Sequence, residues 1–130
     1  MDSGFKVNNV ILIECSFSRI NQVVFEGDIN NDISIHVDVA TQKDSVTVSE
    51  DVTVSQKFKG EEQAHIFVKM VGLFTRIGDS SIDNLEDFGK VNGAAIIFPY
   101  IREIVSSTTL KAGMPAIILP PVNFTKIPEK

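Results

Sequence analysis

The stretch from Ser45 to Phe58, SVTVSEDVTVSQKF, constrains the fold more than any other part of the chain. Val46, Val48, Val52, Val54 and Phe58 occupy even positions, while Ser45, Thr47, Ser49, Asp51, Thr53, Ser55 and Lys57 take the odd ones. Only Glu50 and Gln56 interrupt the apolar series. A period of two is that of a strand with one buried and one wet face. DISIHVDV repeats it, with Ile33, Ile35, Val37 and Val39 inward and Ser34, His36 and Asp38 outward. TQKD between these segments reads as a tight hairpin connection.

KGEE, residues 59–62, is the next turn, and QAHIFVKMVGLFTRI is a further strand. It is apolar at both parities: Ile66, Val68, Met70 and Phe74 on one side, Phe67, Val71 and Leu73 on the other. Gly72 inside it signals a bulge or a close backbone approach. VNNVILIECSFSR near the start is a fourth strand, again partly apolar on both faces. Two such strands imply a sheet covered on more than its helical face, with another copy of the chain as the candidate cover.

From DSSID the period changes. Ser80 or Ser81 caps a short helix on which Ile82, Leu85 and Phe88 share a face, and Asn92-Gly93 ends it. A second helix runs from about Ala94 to Lys111, with Ile97, Ile101, Ile104, Val105 and Thr108 roughly aligned. Pro99 either starts this helix or kinks it. KAG closes it, and the proline-rich tail MPAIILPPVNFTKIPEK favours extended chain. Strands first and helices after make an α+β fold, a four-stranded antiparallel sheet with C-terminal helices packed on one face. With 130 residues the chain reads as a single domain.

Composition narrows the function. A formal net charge of −5 argues against nucleic acid, whose binders cluster Lys and Arg on the phosphates. The longest apolar runs, VILI and AAIIFPYI, fall far below the roughly 20 residues that cross a bilayer. MDSGFKVNN carries no basic-then-apolar leader, and the single cysteine suits a reducing compartment, so a cytoplasmic location is expected. Cys15, set among strand formers, reads as a small buried hydrophobe.

Chemistry is sparse. His36 and His65 lie on different strands without ligand spacing, and His36 belongs to a polar face. VNGAA is a helix junction rather than a phosphate loop. Cys15 has no neighbouring His or basic residue to activate it. The acidic clusters SED, residues 49–51, and GEE, residues 60–62, read as solvated edge or turn residues. No enzyme, metal or cofactor is nominated.

Two motifs carry a resemblance. Phe98-Pro99-Tyr100 is followed by Arg102-Glu103, and about 20 residues later comes Pro121-Val122-Asn123-Phe124. Together with the order of elements, and with VGLF at 71–74, these resemble the SecB family of protein-export chaperones. The resemblance implies a tetramer built as a dimer of dimers, with helices sandwiched between sheets. Its interface would draw on Ile66, Val68 and Met70 of the strand and Ile97, Ile101, Arg102 and Glu103 of the helix. It also implies apolar surface grooves that hold unfolded preproteins for delivery to SecA. Groove candidates are Val23, Val24, Phe25 and Ile29 in the loop after the first strand, and Ile117, Ile118, Leu119 and Phe124 in the proline-rich loop. Met114 would adapt to varied guests. Glu14 matches one acidic position used towards SecA, while the counterpart on the fourth strand falls near Phe67. The chain departs from the family in a shorter loop without Trp, INQVVFEGDINND, and in TKIPEK where the family continues into a helix.

The expected function is therefore a non-enzymatic, ATP-independent holdase for unfolded polypeptides. A related alternative is a chaperone or scaffold dedicated to one partner, such as an antitoxin. A third is a small enzyme or ligand-binding α+β domain whose site assembles only in three dimensions.

Overall fold

Alternation at 45–58 becomes an interior strand of a four-stranded antiparallel sheet in the computed structural model, which describes residues 4–77 and 84–126. The strands are β1 (Phe5–Arg19), β2 (Ile29–Gln42), β3 (Ser45–Phe58) and β4 (Glu61–Arg76), in the order β1-β4-β3-β2. β2, β3 and β4 follow one another as hairpins. Lys59 and Gly60 join the last pair at φ 52° and 84°, the left-handed geometry that matches the twist of a two-residue hairpin. β1 pairs with β4, so segment 20–28 must carry the chain from one edge of the sheet to the other. That is three strand spacings, roughly 14 Å, a span this segment reaches easily. Ile29, expected in the loop, is instead the first residue of β2, opposite Phe58.

The even positions of β3 and β4 form the inner face. Val46, Val48, Val52 and Val54 are buried there beside Ile66, Val68, Met70 and Phe74. Over them lies a helical segment: α1 (Leu85–Phe88), a π-helical turn (Gly89–Gly93) and α2 (Ala94–Lys111). Asn84 caps α1, its side chain accepting the Asp87 N–H at 3.0 Å. The expected caps Ser80 and Ser81, and Ile82, lie outside the described residues.

Asn92-Gly93 does not end the helix. Gly93 has right-handed helical geometry (φ −62°) and the chain continues straight into α2. The glycine answers a packing need instead. A Cβ on Gly93 would lie 2.9 Å from Val48 Cγ2, and one on Gly89 would lie 2.8 Å from Val39 Cγ1. Bare backbone at these positions lets the wide turn press onto β2 and β3. Gly72 does the same from the sheet side, where an added Cβ would stand 2.8 Å from Ile97 Cδ1. α2 starts before Pro99, which lies inside it, and ends at Lys111; Gly113 just beyond, with φ of 78°, supplies the left-handed residue that follows a helix C-terminus.

Because α2 crosses β4 and β3, it covers residues expected to face a sister subunit. Ile66, Val68, Met70, Ile97 and Ile101 are all buried inside the protomer. That expectation is corrected: their partner is the chain's own helix or sheet. Cys15 is corrected in the opposite direction. It is exposed, on an edge strand whose pairing shifts register between Val7 and Asn9 and again between Leu12 and Glu14.

Glu50 is the third correction. Rather than solvated, it is fully buried on the inner face of β3, between Val37 and Met70 of the neighbouring strands. Among the described residues neither of its carboxyl oxygens has a hydrogen-bond partner. Loss of hydration, reinforced by the nearby Asp51 charge, pushes its pKa up to about 8. In the unfolded chain the group returns to the ordinary carboxylate range. Between these two values the folded state retains a proton that the unfolded state has released. Stability is therefore greatest below the ordinary range and is lost as pH rises towards about 8. Chemical denaturation across that window should show stability falling by on the order of 1 kcal/mol per pH unit. Glu50→Gln should flatten the slope.

Candidate functional site

The tail after α2 and the crossing segment after β1 both lack regular backbone pairing, so side chains must hold them. Three do. Arg19, the last residue of β1, donates from Nε to the Ile20 carbonyl at 2.9 Å and from Nη2 to the Asn21 carbonyl at 2.7 Å. Its Nη1 reaches the Ala112 carbonyl at the end of α2, tying the two irregular segments to one guanidinium. Gln63 of β4 bonds both backbone groups of Val24, accepting from its N–H at 3.0 Å and donating to its carbonyl at 2.8 Å. Thr109, buried in α2, accepts the Ile117 N–H at 2.9 Å and donates to the Val105 carbonyl.

Between the segments so held lies an open trough of about 260 Å³. Val24, Phe25 and Ile29 form one side, and Pro115, Ile117 and Ile118 the other, with Asn31 and Gln56 contributing polar lining. Phe25 is 49% exposed and Ile118 62%, so both present apolar surface to solvent. Ile118 also borders a second hollow, about 320 Å³, bounded by Pro99, Arg102, Glu103 and Ser106 of α2. The two hollows share Ile118 as a ridge.

Of the residues singled out in the sequence, Val24, Phe25, Ile29, Ile117 and Ile118 come together at the trough, with Ile117 itself buried in the core of the protomer. Val23 is half-buried and does not line it. Met114, Leu119 and Phe124 are buried in the protomer. Phe124 packs edge-on against Phe98 at 5.6 Å. These three are therefore corrected from groove to interior: an irregular segment still turns its alternate side chains inward. Arg102 and Glu103 are exposed beside Ile118. The sequence reading missed Pro115, Gln56, Asn31 and Gln63. Gln56 did leave a signal, as a polar residue at an inward position of an otherwise apolar series.

The opposite face of the sheet is polar on β2 and β3 and mixed on β1 and β4, where the partly exposed Ile11, Phe67, Val71 and Leu73 lie among charged residues. Glu14 is exposed there, opposite Lys69, and His36 Nδ1 stands 3.3 Å from Asp51 Oδ1. Among the described residues no cluster of His, Cys, Asp or Glu could hold a metal ion, and no helix is long and apolar enough to cross a membrane.

The sheet thus carries one long helix on its inner face, with two open hollows beside it that share the exposed Ile118. The chain belongs to the SecB family: the family model described as preprotein translocase subunit SecB matches residues 1–129. It is 40% identical over 73 residues to protein-export protein SecB of Nitrosomonas europaea, covering 55% of this chain and 45% of that protein. It is 39% identical over 59 residues to an uncharacterized protein of Methanocaldococcus jannaschii, covering 45% of this chain and 37% of that protein. The chain thus spans less than half the length of these relatives. Its fold is also that of a SecB-like chaperone of Mycobacterium tuberculosis, solved in complex with a peptide from the HigA1 antitoxin. The TM-score is 0.77 at 15% identity, over 93% of this chain and 92% of that one.

Thr109→Val keeps the shape of the helix surface but removes the acceptor of the Ile117 N–H. Leaving that buried donor unpaired should cost about 1–3 kcal/mol in equilibrium denaturation. The loss should concentrate in the tail, read as faster amide exchange at Ile117 than within α2.

Proposed function

We propose that the chain is an ATP-independent holdase that binds unfolded polypeptides along the trough and works as a homo-oligomer. The observation that carries this reading is the trough itself: exposed apolar side chains on two irregular segments that are nevertheless firmly hydrogen-bonded in place. Such a surface binds by burying apolar area, without directional demands on the guest, so it accepts many sequences. An extended segment burying roughly 200 Å² of apolar surface there gains about 5 kcal/mol before the costs of association. Those costs are comparable, so one trough binds weakly. Several troughs on one assembly would hold a long chain by avidity.

Self-association has its own support. Leu12 and Val7 project from the inner side of β1, 48% and 45% exposed, and Tyr100 on α2 is 52% exposed. These residues replace the buried set as the proposed contact between copies, with the tetramer as its expected end state. In this reading Glu14 is the residue offered to SecA. Lys69 opposite it, and Phe67 on the same face, supply little of the negative charge a basic partner needs.

A second reading, a chaperone dedicated to one partner segment such as part of an antitoxin, is favoured by the small size of the trough. Both readings predict the same site and differ in breadth. The purified protein should slow aggregation of several unrelated denatured proteins at near-stoichiometric ratio, and retard folding of a signal-bearing preprotein. Ile118→Asp should remove most of that protection without altering thermal stability. Protection of a single client class would select the dedicated reading, and protection of none, with no client bound, rejects both. Light scattering should show an oligomer that Leu12→Arg reduces in mass.

A further inference from the structure

Gln63 occupies an anomalous place in β4. Towards the chain's C-terminus the strand alternates strictly, with Ala64, Ile66, Val68 and Met70 buried and His65, Phe67 and Lys69 half-exposed on the outer face. Continued backwards, that alternation would put Gln63 outside. It is instead 3% exposed, buried next to the equally buried Ala64.

The pairing register gives the reason. Gln56 of β3 faces Ala64, but Lys57 faces Glu62, so Gln63 is an extra residue without an opposite number, a β-bulge. A bulge re-aims one side chain out of step with its strand. Here the re-aimed side chain meets the crossing segment. Its Oε1 accepts from Val24 N–H and its Nε2 donates to the Val24 carbonyl, the two bonds that a neighbouring strand would make. Nε2 also donates to Gln56 Oε1 at 2.8 Å, and Gln56 Nε2 donates to Asn31 Oδ1 at 3.0 Å. A row of three amides therefore runs from the crossing segment to the start of β2. The Gln63 carbonyl adds a fourth tie, accepting from Ile20 N–H at 3.0 Å.

Resting on the trough as the guest site, we propose that Gln63 is its positioning residue: the bulge turns its amide onto Val24 and so holds the Val24-Phe25 wall in the shape that receives an extended apolar peptide. The segment needs such a tie, because it crosses the end of the sheet without a strand partner. Freed, it would sample many conformations, and a guest would have to bind the fraction that keeps the wall in place.

The test uses the full chain and a fluorescently labelled, reduced and unfolded polypeptide as the guest. Gln63→Met retains length and burial but loses every side-chain bond. It should make the Val24 amide exchange freely and weaken guest binding about tenfold, as expected if the open wall is correct a tenth of the time. Measured well below the unfolding midpoint, this loss separates positioning from mere stability. Gln63→Glu, assayed at a pH low enough to keep its buried carboxyl protonated, still accepts from Val24 N–H and keeps one donated bond in place of two, so it should fall between Gln63→Met and the parent. It also decides the matter should Gln63→Met not fold. Phe25→Asp serves as the control that strikes the trough directly. If Phe25→Asp abolishes binding while both Gln63 variants bind as the parent does, the positioning role is overturned and the trough stands. If Phe25→Asp binds as the parent does, the trough itself is wrong and the proposal falls with it.

Discussion

The docking of α2 onto β3 and β4 is the constraint from which the other features follow. Ile97, Ile101 and Val105 of the helix are buried with Val48, Val52, Val68 and Phe74 of the sheet in one apolar cluster. Helix and sheet approach closely because Gly72, Gly89 and Gly93 present no side chain at the contact. One helix is narrower than four strands, however. Centred on β4 and β3, it leaves much of β1 bare, and its C-terminal end meets the crossing segment through Arg19 and Ala112. The uncovered apolar surface is therefore a geometric consequence of the fold. On the proposed reading, some of it meets other copies of the chain and some meets guests.

The same close packing explains the setting of Glu50. A carboxyl under the helix, unpaired among the described residues, is held neutral by loss of hydration and weakens the fold once it ionises. It lies in the seam between sheet and helix, so the energetic cost falls on the contact that defines the protomer. A Gln or apolar residue would serve the core better on physical grounds alone. Nothing in the trough depends on it.

Strand periodicity made much of the sheet legible from the sequence: β2, β3 and the inward face of β3 follow from alternation, while β1, β4 and the two hairpins follow from apolar strand formers bounded by the turns TQKD and KGEE. The span of α2 was legible as well, from its 3.6-residue apolar spacing. What failed was assignment of partners. Apolar residues such as Ile66 and Ile97 look the same whether a neighbouring helix or a sister subunit covers them, because burial leaves no mark of who supplies the cover. Irregular segments misled in a similar way, since Met114, Leu119 and Phe124 belong to the core while Phe25 and Ile118, of the same apolar character, do not. Gly93 looked like a stop because glycine both terminates helices and permits close packing, and only the position of Val48 decides between these. The bulge at Gln63 was invisible for a different reason. It arises from a mismatch of lengths between β3 and β4 that neither strand shows by itself.

A trough of this kind faces a physical difficulty that its polar residues resolve. Exposed apolar walls attract one another, and two unpaired segments carrying Phe25 and Ile118 would gain by collapsing together. Hydrophobic attraction has no direction and cannot hold such walls apart. Hydrogen bonds can, because each fixes a distance and an angle. Arg19 fixes the start of the crossing segment and the end of α2, Gln63 fixes Val24, and Thr109 fixes Ile117. Each is a side chain on regular structure that bonds the backbone of an irregular segment, leaving that segment's apolar side chains uncommitted. The broad, non-directional affinity proposed for the trough would thus rest on a small set of highly directional contacts behind the surface.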